Sequence, residues 1–386
     1  MKVLVTGAAG FIGKNLCQHL KEVKDIELLT FDKGDDFSDI EKNIKDINFI
    51  FHLAGVNRPE NVEEFYKGNT DLTKSIIELL KLKNLTTPIL ITSSIQATKD
   101  NDYGKSKKQA EDLLIDYNTN NNAYVYRLHN VFGKWCRPNY NSVIATFCYN
   151  VSHSIEITVN DENVELELVY IDDAINEFIN ILKGNKPIKR EGSYCYVEPT
   201  YKITLGELAR KIKDFKINME SILVPQTGDD FIKKLFSTYL SYVELDDMVF
   251  TPKMNIDDRG SFTELIKTVD SGQVSISVSK PGVFRGNHYH HTKMEKFIVV
   301  KGQARITFQH VTTGELKEYY VDDKELKIVN IPVGYTHKIE NIGEEEMILL
   351  LWCNEIFDKN RPDTYMMEVI NNVKSDDCSR HKTRNY

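Results

Sequence analysis

The chain opens Lys2-Val-Leu-Val-Thr-Gly7-Ala-Ala-Gly10-Phe-Ile-Gly13, and this stretch decides the fold of its first half. Lys2–Thr6 is a compact run of apolar and β-branched residues, and helical spacing follows over 13–23. Strand, glycine turn, helix is the order that lets a backbone approach a pyrophosphate. Glycines clear side chains from the turn, and the helix N-terminus offers unpaired N–H groups and a positive dipole. The G-x-x-G-x-x-G spacing therefore predicts a dinucleotide-binding turn, with Gly7, Gly10, Phe11, Ile12 and Gly13 against the cofactor. Asp32 ends the next strand-like run, 19 residues beyond Gly13. A carboxylate there accepts hydrogen bonds from a ribose 2′-hydroxyl. Lys33 beside it suits a 2′-phosphate instead, so the pair leaves NAD and NADP both open.

The alternation continues outward. Strand-like runs at 27–31, 49–53 and 89–92 are separated by helical patterns such as 69–81 and 103–117. That spacing implies βαβ units and a doubly wound parallel sheet. Leu53, Ala54 and Gly55 close the run near residue 50, where they would lie alongside the cofactor. Around residue 250 the texture changes. Short strands at 274–278, 297–300, 304–308, 319–321, 326–331 and 347–352 are punctuated by Gly, Pro and Asp. No long helical period lies between them, which predicts an all-β sandwich or barrel. The expected layout is an α/β domain over 1–245, a β domain over 250–372, and a polar tail over 373–386.

Composition narrows the function classes. The 386 residues are 41% hydrophobic, enough for a full core, and disorder throughout is excluded. With 49 basic and 57 acidic residues the net charge is −8, a poor match to nucleic acid. The longest pure apolar run, 347–353, falls far short of the roughly 20 residues of a membrane span. The N-terminus lacks the apolar region of a signal peptide, and six scattered cysteines without a C-x-x-C pair read as reduced thiols. A cytoplasmic protein without a membrane or nucleic-acid partner is expected.

Tyr103-Gly-Lys-Ser-Lys107 opens the helical pattern over 103–117. The four-residue offset sets Tyr103 and Lys107 on one helical face. A nearby ammonium lowers a phenol's pKa, which would let Tyr103 exchange a proton with a carbonyl oxygen near neutral pH. Y-x-x-x-K alone is common; here it follows the glycine turn and the strand end Thr92-Ser93-Ser94.

These residues resemble the extended short-chain dehydrogenase/reductase family, whose members act on nucleotide sugars. The likeness spans about 1–243 and includes 52–55, Arg127-Leu-His-Asn130-Val-Phe-Gly133 and Val169-Tyr-Ile-Asp172-Asp173. It implies that Ser94 polarises the substrate carbonyl, Tyr103 donates the proton, and Lys107 holds the nicotinamide ribose. Asn130 and Arg137 are the implied substrate contacts of this half. Tyr103 follows Ser94 by only nine positions, where the family has a longer loop, and His129 stands where proline is common.

The β half carries the densest signal. His288 and His290 share a strand face. Glu295 returns on a neighbouring strand, and His337 follows in Pro332-x-Gly334-x-x-His337. Three imidazoles and a carboxylate suit a first-row divalent ion with an open position. Zn2+ is the expectation, although the spacing does not choose among Zn, Mn, Fe and Ni. The pattern resembles cupins, jelly-roll barrels, with Leu326 in place of a usual glycine. The segments Asp258-Arg259-Gly-Ser-Phe and Lys280-Pro-Gly-Val-Phe-Arg285-Gly-Asn-His288-Tyr also resemble nucleotide-sugar 3,5-epimerases of that fold. That likeness makes His288 the base that removes a proton α to a ketone, with Arg259 and Arg285 on the diphosphate. His288 thus has two readings, ligand or base.

Over about 1–370 the domain order resembles a family of bifunctional capsular polysaccharide enzymes. The likeness implies C3 epimerisation of a UDP-2-acetamido-2,6-dideoxy-4-hexulose, followed by NADPH-dependent reduction at C4. It also implies a homodimer and a UDP-sugar substrate. Two other readings stay open. One is a reductase whose β domain serves only assembly; the other is a redox-neutral epimerase that retains NAD.

Overall fold

Buried strands with apolar residues on both faces must be covered on both sides, and parallel sheets meet that need. Lys2–Thr6 is buried at four of five positions, and Phe49–His52 at all four. In the computed structural model, which describes residues 1–117 and 122–370, these strands build a seven-stranded sheet. Across it run Glu27–Phe31, Lys2–Thr6, Phe49–His52, Ile89–Ser94, Ala123–Leu128, Tyr194–Tyr196 and Lys189–Glu191. The first six are parallel to their neighbours, and only the last pair is antiparallel.

Alternate side chains of one strand feed two cores. Val3 and Val5 pack with Leu16 and Leu20 of the helix Phe11–Glu22 and with Ile175 and Phe178 of the helix Ile171–Leu182. Leu4 points the other way, to Ile76 and Leu80 of the helix Leu72–Leu82 and to Leu114 of the helix Asp102–Tyr117. Helices cover both faces, which is the expected doubly wound fold. The helical pattern expected over 69–81 is not uniform. Its start lies in a π-helical turn, Tyr66–Asp71, because Asn69 turns its amide inward. Asn69 Oδ1 accepts from Val56 N–H at 2.9 Å, and its Nδ2 donates to Ser106 Oγ at 3.0 Å. Such a bulge is a common device at functional sites.

Two compact units emerge. The first comprises Met1–Ile217 and Thr227–Met248; the second comprises Asn218–Gln226 and the chain from Val249 onward. Residues 218–226, which the sequence reading leaves in the first domain, group with the second. Val224 N–H donates to the Lys267 carbonyl at 2.8 Å, and Lys267 N–H to the Ile222 carbonyl at 2.7 Å. The expected tail over 373–386, with Cys378, lies outside the described residues. Among the described residues no helix is long and apolar enough to cross a membrane.

The second unit is two antiparallel sheets of six and five strands. Phe297, Val299 and Leu349 of the first meet Ile306, Phe308 and Ile339 of the second in one core. This is the all-β, cupin-like architecture expected from the sequence.

His52 ties the first unit together. Its Nδ1 lies 2.7 Å from Thr6 Oγ1, and its Nε2 lies 2.8 Å from Thr73 Oγ1. Burial, reinforced by the Lys107 charge, pushes its pKa down to about 3. The unfolded chain therefore binds more protons than the fold between about 6.5 and about 3. Stability from neutral His52 is complete above that window and falls as pH drops through it. At pH 5 the loss is roughly 2 kcal/mol. Urea unfolding at pH 7 and pH 5 tests this: His52→Gln is expected to flatten the acid-side decline by about that amount.

Candidate functional site

The glycine turn fits a dinucleotide. Gly7 has φ +71°, and a Cβ there would lie 2.7 Å from the Ala54 backbone. A Cβ at Gly13 would overlap the Gly7 carbonyl oxygen. No side chain fits between the first strand, the third strand and the helix that starts at Phe11, so a pyrophosphate can reach the helix N-terminus. Asp32 braces this turn, accepting from Ala9 N–H at 2.9 Å. Lys33 beside it is exposed. Leu53 and Ala54 lie against Gly7, while Gly55 borders Lys107: a Cβ on it would sit 2.8 Å from Lys107 Nζ and 2.9 Å from Asn69 Oδ1.

Ser94, Tyr103 and Lys107 come together at the end of the strand Ile89–Ser94. The short connection is closed by a single 3-10 turn, Ile95–Thr98, capped by Ser94 Oγ accepting from Gln96 N–H at 3.1 Å. Asn101 Oδ1 then caps the next helix by accepting from Gly104 N–H at 2.8 Å. Gly104 lets the helix press onto the turn: a Cβ there would overlap the Lys99 carbonyl and lie 2.7 Å from the Gln96 carbonyl. Ser94 stands close enough to the Tyr103 hydroxyl to act on its titration. Phe65 covers the Tyr103 ring, with centroids 5.7 Å apart.

Charge at this site runs against one expectation. Burial raises the Tyr103 pKa, opposed by the Ser94 hydrogen bond, so the phenol titrates above its ordinary value. Burial also pushes the Lys107 ammonium down to about 8, opposed by the Glu111 carboxylate. The expected lowering of the phenol by Lys107 is not found: burial dominates, and the opposing influence comes from Ser94. Tyr103 is held in its protonated form, which a proton donor needs. Lys107 Nζ donates to the Thr92 carbonyl at 3.3 Å. Glu111 behind it is fully buried and bound by Arg127 through two hydrogen bonds of 2.6 and 2.9 Å, and by Ser93 Oγ at 2.6 Å.

The implied substrate residues are less assembled. Asn130 is exposed and donates to the Glu167 carbonyl at 3.3 Å. Arg137 is exposed, 5.3 Å from the centre of the Tyr140 ring. Arg58, which the sequence reading passed over, lies 5.8 Å from the same ring. Neither arginine has a carboxylate partner among the described residues.

In the β unit the four ligand-type residues do meet. His288 lies on the strand Phe284–Tyr289 and His290 just beyond it; Glu295 opens Glu295–Lys301, and His337 lies in Tyr335–Asn341. Their ligand atoms all fall within 4.8 Å of one another. A register shift between Gly286 and His288 sets His288 directly opposite His337. The extra residue, Asn287, has φ +61°. Bulges of this kind re-aim side chains. His290 Nε2 and His337 Nε2 each lie 3.3 Å from Glu295 Oε2. All three atoms are buried without a hydrogen-bond partner among the described residues. Orphaned buried acceptors are costly, and metal bonds of about 2.0–2.1 Å separate tetrahedral ligands by about 3.3 Å. The cluster therefore fits a divalent ion. His288 packs its ring on His290 and His337, with centroids 5.0 and 4.6 Å away, and burial lowers its pKa to about 4. It is neutral, as both a ligand and a base must be.

The two arginines expected on the diphosphate differ. Arg259 is exposed and paired with Asp257 at 2.5 Å. Arg285 stands opposite the core residue Ile339, so it points inside the barrel. Its Nε donates to Ser279 Oγ at 3.3 Å, and its buried Nη2 has no hydrogen-bond partner among the described residues.

Fold and site define a nucleotide-binding oxidoreductase-type unit joined to a β barrel that carries a buried His/Glu cluster. Residues 3–194 match the NAD dependent epimerase/dehydratase family, and 255–365 match the polysaccharide biosynthesis C-terminal domain. The capsular polysaccharide assembling protein CapF from Staphylococcus aureus has a similar solved structure, with TM-score 0.88 and 47% identity over 96% of this chain and all of that one. A Pseudomonas aeruginosa protein, UDP-2-acetamido-2,6-β-L-arabino-hexul-4-ose reductase, is 44% identical over 96% of this chain and 99% of its own length. The spore coat polysaccharide biosynthesis protein SpsL of Bacillus subtilis is 28% identical over 117 residues. The chain belongs to the CapF family of capsular polysaccharide proteins.

The tight seat of Gly104 gives a direct test. Gly104→Ala is expected to push the helix off the 3-10 turn, part Tyr103 from Ser94, and cost about 1–3 kcal/mol of stability. Ketone reduction is expected to fall by more than tenfold at a temperature where the variant stays folded, measured by nicotinamide absorbance.

Proposed function

We propose that this protein is a bifunctional nucleotide-sugar enzyme of capsular polysaccharide synthesis. The second unit inverts C3 of a UDP-2-acetamido-2,6-dideoxy-4-hexulose, and the first unit reduces the C4 ketone with NADPH. On this reading the chain acts as a cytoplasmic homodimer. The observation that carries the proposal is the presence on one chain of two separate proton-handling sites. One is Ser94–Tyr103–Lys107 beside a dinucleotide turn; the other is the His288–His290–Glu295–His337 cluster. The full-length likeness to a UDP-hexulose reductase supports the substrate class.

In the first unit, a bound nicotinamide would supply hydride to C4. Tyr103 gives its proton to the C4 oxygen as charge develops there. Ser94 orients both the phenol and the carbonyl. Lys107 holds the cofactor ribose while its charge favours the phenolate left behind. Asp32 and Lys33 meet the adenosine ribose, and the exposed Lys33 favours the 2′-phosphate. Arg137 and Asn130 hold the substrate.

In the second unit, a divalent ion on His290, Glu295 and His337 would polarise the C4 carbonyl. A ketone at C4 acidifies the C3 proton, and His288 removes it in the base reading. In the ligand reading His288 completes the metal set. Arg285, whose Nη2 lies 3.7 Å from Asp257 Oδ1, binds the diphosphate together with Arg259, which shares that carboxylate.

The test follows C3–H of the UDP-4-keto sugar by NMR in D2O without nicotinamide. Exchange at C3, then reduction once NADPH is added, is the expected result. Competent reduction with a persistent C3–H signal would leave a plain reductase. Tyr103→Phe is expected to lower NADPH oxidation by 100-fold or more while C3 exchange continues. Stripping the metal with a chelator is expected to do the reverse: exchange stops, and reduction of pre-epimerised substrate persists. Equal loss of both activities in either experiment would defeat the division of labour.

A further inference from the structure

We infer that Asp363 is a positioning residue for the metal centre, its main-chain carbonyl setting the His290 ring and its carboxylate setting the turn from His290 to Glu295. The inference rests on the metal reading proposed above. His290 Nδ1 lies 2.6 Å from the Asp363 carbonyl oxygen, 73 residues away in sequence. A carbonyl only accepts, so Nδ1 carries the proton and Nε2 keeps its lone pair. That Nε2 is the orphaned atom 3.3 Å from Glu295 Oε2.

The Asp363 carboxylate takes the chain between the two ligands. Its Oδ1 accepts from His291 N–H at 3.1 Å. Its Oδ2 accepts from Thr292 N–H at 2.8 Å, Thr292 Oγ1 at 2.9 Å and Lys293 N–H at 2.7 Å. Three successive amides of a four-residue connection are thereby fixed by one side chain. Metal ligands must hold their distances to within about 0.2 Å, and a free turn of this length does not. Asp363 itself sits at φ +38°, a conformation in which non-glycine residues are uncommon.

The segment that carries Asp363 is anchored elsewhere as well. Tyr365 and Met366 pair with Tyr289 and His288. Met367 N–H donates to the Asn287 carbonyl at 2.9 Å, and Ile370 N–H to Gln309 Oε1 at 2.9 Å. Loss of the Asp363 carboxylate therefore frees the turn while the segment after it, Tyr365 to Ile370, stays docked and holds the Asp363 carbonyl in place.

The experiment uses the full chain and Zn2+ alone, in competition with a chromophoric chelator, on the wild type, Asp363→Ala, Asp363→Asn and Asp358→Ala. Asp358 lies on the same segment, with Arg361 3.7 Å away, and serves as the control. Asp363→Ala is expected to lower Zn2+ affinity 10–100-fold, with Asp363→Asn between it and the wild type. The visible bands of bound Co2+ are expected to shift in Asp363→Ala only. The metal-free melting temperatures should stay close, which separates loss of positioning from loss of fold. Wild-type affinity in Asp363→Ala, or an equal loss in Asp358→Ala, overturns the inference and leaves the metal reading standing. A wild type that takes up no Zn2+ overturns both.

Discussion

Lys107 carries its ammonium into the space between the Thr92 carbonyl and Gly55, where burial penalises the charge. Much of the first unit is arranged around that penalty. The Glu111 carboxylate one helical turn on opposes it, and a buried carboxylate needs partners of its own. Arg127 and Ser93 supply them from two adjacent strands. Arg127 in turn lies under the Tyr194 ring, 3.5 Å from its centre, and Tyr194 belongs to the strand beyond. A single functional cation thus links one helix to three neighbouring strands. Asn69 reaches the same place from the π-helical turn, which is why that turn departs from regular helix. Truncating Glu111 would leave Arg127 buried and unpaired, so the network is all or nothing in energetic terms.

The second unit meets a different constraint. Strand alternation alone puts His288 and His290 on one face, but it does not put His337 opposite. An unshifted ladder would pair His288 with Thr336, whose side chain points to the other face. The bulge at Asn287 corrects this by one residue. The same Asn287 then receives Met367 N–H on its carbonyl, so the bulge that aims the histidines also seats the final strand. One local irregularity serves both the ligand geometry and the closure of the sheet.

These two mechanisms explain what could be read from the chain. The glycine turn, the alternating strands and helices, and the Tyr103–Lys107 pair follow from local spacing, and local spacing is what a sequence displays. The His288–His290–Glu295–His337 set was also legible, because two ligands lie at and just past one strand end, and Glu295 opens the next strand in sequence, although that strand belongs to the other sheet. The bulge was not, since Gly286-Asn287 reads as an ordinary strand interior until a partner fixes the register. Nor was the transfer of 218–226 to the second unit, which depends on a pairing with Lys267. Arg58 lay in no motif, and only the fold brings it near Tyr140. The sign of the Tyr103 shift was misread for a similar reason: offset along a helix places Lys107 on the same face, whereas burial depends on other elements, among them Phe65.

Burial acts on both sites, and in opposite directions. It disfavours charge, so it raises the Tyr103 phenol and lowers the His288 imidazole. Each is left neutral. A neutral phenol has a proton to give, and a neutral imidazole has a lone pair to offer. Epimerisation next to a ketone begins by taking a proton, whereas reduction of that ketone ends by giving one. No special residue type is needed for the contrast, only two dry environments and two groups whose charged forms have opposite sign. On the proposed two-step reading, fusing the two units has a chemical logic: the product of proton removal and return at C3 is the ketone that the protonated phenol awaits.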